Sequence, residues 1–158
     1  MPFTHQIRIV SSVLLATLVL AGTGQAASFT ATETSFVRSV NAVRKAHGLQ
    51  PLRVDPVLAR TARAYSAELL RQNVFTHGDF ASRLAASGAR GPTFGENLAW
   101  GVGGAATAGS IVRAWMASPG HRANLLRPGY QRVGVGALVG TFAGYRGATV
   151  VTADFAGT

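Results

Sequence analysis

The sequence predicts a single α+β domain in which helices cover a small antiparallel sheet. Its first part carries apolar residues at helical spacing, whereas its final part alternates apolar residues with glycine or carries β-branched runs. Helices that precede strands in this way are typical of the α+β class. The length of 158 residues suits one domain, and 47% hydrophobic against 13% charged residues suits an ordinary core.

Cap and stop signals define the predicted helices. Phe36 and Val40 belong to a helical stripe that ends before Gly48, where a helix C-terminus favours glycine. Asp55 followed by Pro56 is an N-cap with proline at the first helical position. Similar signals recur later in the chain. The predicted helices cover 33–47, 56–73, 79–88, about 105–117 and 118–126.

The strands are predicted from the change in periodicity. Residues 94–100 form a short apolar segment that we expect to be extended. Residues 133–137 alternate valine or alanine with glycine, and 148–155 contain a β-branched run. We expect a loop over 140–147 to join these last two strands as an antiparallel hairpin, and a second loop over 88–92.

The N-terminus has the pattern of a secretory signal peptide. Arg8 precedes an uncharged apolar segment over 9–21 and a small-residue stretch over 24–27. A bilayer-spanning helix needs roughly 20 apolar residues, so a retained membrane anchor is the less favoured alternative. We expect cleavage after Ala26, which divides the chain into a signal peptide over 1–26 and an exported domain over 27–158. The domain would then be secreted, extracellular or periplasmic, without a membrane span.

Composition excludes several kinds of chemistry. The chain has no cysteine, which removes thiol catalysis, thiolate zinc sites and disulfides. Its formal charge of +9 attracts polyanions through a long-range electrostatic field and does not by itself form a fitted binding site. The arginines are scattered, without a basic run or an interleaved aromatic platform, so we expect no dedicated nucleic-acid binding.

Three residues are candidates for site chemistry. Glu96 lies in an otherwise apolar segment, where a carboxylate costs stability unless it is paired. His77 precedes a predicted helix, and His121 lies in the first turn of another. Two imidazoles and a carboxylate suit Zn²⁺ with an open coordination position, or a general acid–base pair. The spacings are long and match no short metal motif, so structural roles for all three stay open at this point.

Other polar and aromatic residues have ordinary interpretations. Ser118 could be a nucleophile activated by a histidine, but a serine before proline at a helix start is more often an N-cap. We expect Asn97 to bond backbone groups and His47 to act as a cation near a helix C-terminus. Trp100 and Trp115 are expected to belong to the core.

Four segments of the chain form a recognisable set. They read FTH at 75–77, GENLA at 95–99, WMASPGHRANLL at 115–126 and YQRVGVG at 130–136. Together they resemble the CAP superfamily, the SCP-like extracellular domain of the cysteine-rich secretory protein family, in its bacterial branch. The resemblance covers roughly residues 36–155, and the segments occur in the family order.

The resemblance implies a three-layer α-β-α sandwich with a small central antiparallel sheet, and a cleft lined by two histidines and acidic residues that can bind a divalent metal. By position, His77 and His121 match the two histidines, and Glu96 matches an acidic residue. A second family glutamate is replaced here by Ser118, which weakens a tight metal cage and any two-carboxylate mechanism. The disulfides and C-terminal tail of eukaryotic relatives are missing, so lipid binding that depends on them does not transfer.

These observations predict a secreted domain whose cleft binds an extracellular or cell-envelope ligand. Glu96, Ser118 and Asn97 would line the cleft, and His77 and His121 would coordinate a divalent metal such as Zn²⁺. One alternative is a metal-assisted hydrolase of peptide or cell-wall material, with His77, Glu96 and His121 as the catalytic candidates. Another is a lipid or sterol carrier, which would need a continuous apolar groove.

Overall fold

The computed structural model describes residues 28–157, so the predicted signal peptide over 1–26 lies outside the described residues. Helices α1, α2 and α3 occupy the first part of this range, with strand β1 between α1 and α2. Strand β2 and helices α4 and α5 follow, and strands β3 and β4 come last. The bounds are α1 Ala31–Ala46, β1 Arg53–Val54, α2 Pro56–Gln72, α3 Phe80–Ser87, β2 Phe94–Gly101, α4 Ala108–Ala117, α5 Pro119–Leu125, β3 Tyr130–Phe142 and β4 Tyr145–Gly157.

The four strands form one sheet in the order β1-β3-β4-β2. β3 pairs antiparallel with β4, which pairs antiparallel with β2, and only the two-residue β1 runs parallel to its neighbour. Helices α1, α4 and α5 pack on one face of the sheet, whereas α2 and α3 pack on the other. The predicted α+β class and three-layer α-β-α sandwich are therefore confirmed. No helix among residues 28–157 is long and apolar enough to cross a membrane.

The helix starts follow from local capping chemistry. Thr30 and Glu33 form a reciprocal capping box at the start of α1. Asp55 accepts hydrogen bonds from the Val57 and Leu58 amides at the start of α2, and Asp79 accepts one from the Ser82 amide at α3. These carboxylates satisfy backbone donors that would otherwise lack partners.

The predicted loop over 140–147 is wrong. β3 and β4 continue through most of it, and the turn consists of Ala143 and Gly144, whose φ angles are 49° and 84°. Two positive φ angles give a tight hairpin turn whose twist matches that of the flanking strands. The glycines at 140 and 147 therefore lie within strands and are not loop residues. β1 is absent from the predicted elements, and α4 begins later than predicted because a 3₁₀ turn occupies Gly103–Ala106.

Helix α2 lies directly against the backbone of β3. A Cβ atom added at Gly134 would overlap the Leu58 carbonyl carbon and the Ala59 nitrogen, and one at Gly136 would overlap the backbone of the next turn of α2. Ser66 on α2 donates to the Gly136 carbonyl at 2.9 Å. Because Gly134 and Gly136 have no side chains, α2 can approach the backbone of β3 this closely.

Arg44 is a fully buried cation that joins α1 to the segment after α5. Its guanidinium donates to the carbonyls of Gln50 and Leu125 at 2.9 Å each, and to those of Arg127 and Tyr130 at 3.1 Å each. A second long-range tie involves Arg132, which donates to Asp55 at 2.6 Å, to the Gly157 carbonyl at 2.9 Å and to the Arg90 carbonyl. A third is the 2.5 Å bond between Arg63 and Glu33.

Candidate functional site

Glu96 lies on β2, an edge strand of the sheet, and its side chain points to the face covered by α2 and α3. The side chain is only 2% exposed. The free edge of β2 is covered by α4 and α5, because Trp115 donates to the Leu98 carbonyl and Asn124 donates to the Glu96 carbonyl. These helices close the free edge of β2, and the Glu96 carboxylate therefore lies buried inside the protein.

His77 lies on the connection between α2 and α3, and its side chain is 55% exposed. Its Nδ1 lies 2.7 Å from Oε1 of Glu96. The connection is held by Tyr65, whose hydroxyl donates to the Thr76 carbonyl at 2.6 Å. Gly78 turns the chain at a φ of 52°, a conformation that side-chain-bearing residues rarely adopt. The sequence therefore presents an exposed imidazole on a fixed loop.

Arg83 on α3 completes this contact. Its Nη2 donates to Oε2 of Glu96, and its Nη1 donates to the His77 carbonyl at 3.0 Å. The guanidinium carbon lies 3.3 Å from the centre of the Tyr65 ring, a close cation–π contact. A buried carboxylate needs such a charge-assisted bond, so Arg83 explains how Glu96 can be ionised inside the protein. No local feature of the sequence distinguishes this arginine from the others.

His121 lies in α5, which covers the free edge of β2. Its Nδ1 is 3.0 Å from Oγ of Ser118, and its ring lies 6.5 Å from the Trp115 ring. Burial lowers the pKa of His121, and the charge of His77 lowers it further. The imidazole of His121 is therefore neutral at neutral pH.

The expected N-cap by the Ser118 hydroxyl is wrong. Ser118 occupies the N-cap position of α5, but its side chain makes no cap bond and contacts His121 instead. Glu96 bonds His77 and Arg83, so it does not orient His121 as a serine–histidine–acid triad would require.

Asn97 fixes the backbone of His121 by a hydrogen bond. Its side chain is fully buried and donates to the His121 carbonyl at 3.1 Å, as expected for a residue that bonds backbone. A fully buried amide cannot touch a ligand, so Asn97 acts by fixing α5 and does not itself line an open cleft. Asn124 contributes to the same task, since its amide donates to Oδ1 of Asn97 at 2.9 Å. Asn124 was not among the predicted site residues.

Asp154, like Arg83 and Asn124, was not among the predicted site residues. It lies on β4 as the direct cross-strand partner of Glu96, and it is fully buried. The signal that selected Glu96, a carboxylate within an apolar segment, was also present here, between Ala153 and Phe155.

The described side chains do not complete a zinc site. A catalytic zinc ion takes three protein ligands and one water. Within residues 28–157, no three His, Cys, Asp or Glu side chains are grouped so that they could hold a metal ion. Both oxygens of Glu96 are engaged, by His77 and by Arg83, so Glu96 is not a free third ligand beside the two imidazoles.

Comparison with known sequences matches most of the chain to one family. Residues 37–155 match the cysteine-rich secretory protein family, CAP. The chain is 37% identical over 119 residues to the uncharacterized protein YkwD of Bacillus subtilis (strain 168), covering 72% of this chain and 45% of YkwD. It is 33% identical over 113 residues to the uncharacterized membrane protein YlbC of the same strain, covering 68% of this chain and 32% of YlbC. The chain therefore spans less than half the length of these two relatives.

Solved structures show the same fold. An extracellular protein containing an SCP domain from Bacillus anthracis (str. Ames) superposes with a TM-score of 0.68 at 25% identity, over 80% of this chain and 40% of that chain. An outer surface protein of Borrelia burgdorferi superposes with a TM-score of 0.63 at 22% identity, over 77% of this chain and 90% of that chain.

Proposed function

Because the chain belongs to the cysteine-rich secretory protein (CAP) family, we propose that it is an exported domain that binds an extracellular or cell-envelope ligand through the exposed imidazole of His77. Glu96 orients this imidazole, and His121 contributes a second imidazole from α5. The predicted signal peptide and the similarity to extracellular and outer-surface proteins support export.

One observation carries the proposal, the 2.7 Å bond between an exposed imidazole and a buried carboxylate. An ionised carboxylate only accepts hydrogen bonds, so Nδ1 of His77 carries a proton that it donates to Glu96. In the neutral imidazole, Nε2 then has a free lone pair and can accept a proton or a hydrogen bond from a ligand. Arg83 keeps the carboxylate in place, so the pair is oriented before a ligand arrives.

Removing the imidazole is expected to weaken binding. We expect His77→Ala to lower the affinity for soluble peptidoglycan fragments by about tenfold or more, since a hydrogen bond to a fixed polar group contributes about 1–2 kcal/mol. Calorimetric titration of the purified protein measures this change.

His47→Ala is the matched control for this substitution. His47 is an exposed histidine at the end of α1, whose Nδ1 lies 2.9 Å from the Val43 carbonyl of its own helix. Its replacement is expected to leave the affinity unchanged. Equal affinity in wild type and His77→Ala would contradict the proposal, as would a wild type that does not bind the fragments.

Hydrolysis is the second candidate function, and the same bond favours it. A histidine whose Nδ1 is held by a carboxylate is oriented to take a proton from water through Nε2. If the domain is a hydrolase, Glu96→Gln is expected to lower the rate of peptide or peptidoglycan cleavage by at least about 100-fold, since the amide no longer selects the required tautomer. Chromatography of the products tests this. Wild type that releases no more product than Glu96→Gln would remove the hydrolase candidate.

Zinc coordination by His77 and His121 and lipid or sterol carriage stay predictions. Neither proposal above depends on a metal ion. An apolar cavity of about 310 Å³ lies between α3 and the start of β2, among Phe80, Leu84 and Phe94. It is a local hollow and not the continuous groove that carriage of a lipid would need.

A further inference from the structure

Asp154 and Glu96 form a side-by-side carboxyl pair. They are direct partners on the antiparallel strands β4 and β2, so their side chains lie on the same face of the sheet. Directly opposed residues of such strands have Cβ atoms about 4.5–5.5 Å apart, within reach of a hydrogen bond between two carboxyl groups. The two groups therefore share one environment, beneath α2 and α3.

The surroundings of Asp154 offer no compensation for a negative charge. Asp154 is fully buried, and within residues 28–157 neither of its side-chain oxygens accepts a hydrogen bond from an N–H or O–H group. On its other side, β3 places Gly134, which has no side chain and lies beneath the backbone of α2. An isolated ionised carboxylate in such a place is too costly to persist and takes up a proton instead.

The cation near this pair, Arg83, is already engaged with other groups. Arg83 donates to Glu96 and to the His77 carbonyl, and it stacks on the Tyr65 ring. The Tyr65 hydroxyl donates to the Thr76 carbonyl, so it does not serve Asp154. One guanidinium thus faces two buried carboxyl groups, and like-charged carboxylates in contact cannot both ionise.

We propose that Asp154 is a neutral carboxylic acid at neutral pH, that its proton is donated in a hydrogen bond to Glu96, and that it is thereby a positioning residue for the His77–Glu96 pair. The proton resides on Asp154 because Arg83 and His77 both stabilise the negative charge of Glu96. The site therefore holds two carboxyl groups and one proton. Its second carboxyl comes from β4 and not from the position of Ser118.

The electrostatics agree with the geometry. Burial raises the pKa of Asp154 well above its usual value, and the negative charge of Glu96 raises it further, while Arg83 opposes both effects. The cross-strand hydrogen bond to Glu96 also favours the protonated form of Asp154. In this arrangement Asp154 keeps the charge on Glu96, which faces Nδ1 of His77.

Infrared spectroscopy tests the protonation state directly. Exposed carboxyl groups are ionised at pH 7, so a carbonyl stretch from a protonated carboxylic acid at that pH identifies a buried neutral one. We expect wild type to show one such band and Asp154→Asn to lack it. Asparagine keeps the size of the side chain and can still donate to Glu96, so this variant is expected to fold. No such band in wild type, or an unchanged band in Asp154→Asn, would overturn the proposal.

The pH dependence of thermal unfolding gives a second readout. Because the pKa of Asp154 is higher in the folded state than in the unfolded state, folding takes up a proton above about pH 4. The contribution of Asp154 to stability is complete below that pH and decreases as the pH rises toward its folded pKa. Asparagine does not titrate, so we expect the Tm of Asp154→Asn minus the Tm of wild type to increase steadily between pH 4 and pH 8.

Asp55→Asn is the matched control with the opposite sign. Burial by itself would raise the pKa of Asp55, but bonds from the Leu58 amide and from Arg132 outweigh burial and lower it. Asp55 therefore stabilises the fold above about pH 4 and loses this effect in acid. Its Tm difference is expected to become more negative as the pH rises through that value.

The pH dependence of the Tm difference between Asp154→Asn and wild type decides the test, because a change in packing alters Tm without changing its pH dependence. A Tm difference that stays constant or falls between pH 4 and pH 8 would overturn the proposal. The inference concerns the site of the proposed function, but neither measurement uses a ligand. Failure of ligand binding and failure of the carboxyl pair are therefore distinguishable.

Discussion

Arg44→Met is expected to lower the free energy of unfolding by about 3 kcal/mol or more. Methionine fills much of the volume of the arginine side chain but donates no hydrogen bond. The carbonyls of Gln50, Leu125, Arg127 and Tyr130 would each lose a charge-assisted donor, and two of these bonds are fully buried. Buried acceptors that lose their donors carry the full desolvation penalty. Urea unfolding followed by circular dichroism measures the change.

Arg38→Met is the control for this substitution. Arg38 lies on the same helix and is exposed, so its replacement is expected to change stability by less than about 0.5 kcal/mol. Arg44→Lys keeps the positive charge but lacks the planar fork, and we expect it to recover only part of the loss. If Arg44→Met and Arg38→Met unfold at the same urea concentration, the buried guanidinium does not hold the segment after α5.

Gly134→Ala is expected to lower the free energy of unfolding by about 3 kcal/mol, the upper part of the usual range for overpacked cores. The added methyl group would overlap backbone atoms of Leu58 and Ala59, which cannot move without shifting α2. Differential scanning calorimetry at one pH measures the fall in Tm.

Gly129→Ala makes the same chemical change where no atom lies within 4 Å of the added Cβ. It is expected to leave stability nearly unchanged. A Gly134→Ala protein as stable as Gly129→Ala would show that α2 does not lie directly on β3. Because α2 carries Tyr65, which contacts Arg83 and the Thr76 carbonyl, Gly134→Ala is also expected to disturb the position of His77.

The local signals of the sequence predicted most of the fold. Asp55 with Pro56, and Asp79, marked the starts of α2 and α3 because capping depends on only a few neighbouring residues. The loop over 140–147 was wrong because glycine occurs within strands as well as in turns. Gly140 lies in β3 close to Leu70 of α2, and Gly147 lies in β4 at a φ of 71°, and neither role can be distinguished from a turn by sequence alone.

The candidate site was predicted in part. Glu96 was found because a carboxylate in an apolar strand needs a partner, and His77 proved to be that partner across 19 positions of the chain. Arg83 was not predicted, because no local sequence pattern distinguishes it from the many other arginines. Asp154 carries the same local mark as Glu96, a carboxylate in an apolar segment, but its place beside Glu96 depends on the register of two strands that are distant in sequence.

The long-range ties of this domain are made by guanidinium groups, from Arg44, Arg63 and Arg132 to carbonyl and carboxylate oxygens. Such ties form as soon as their partners meet, whereas cross-links between thiols form in seconds to hours and need an oxidant. A chain held together in this way reaches its native state equally well in reducing and oxidising surroundings. Because the chain has no cysteine, its folding depends on no thiol oxidoreductase.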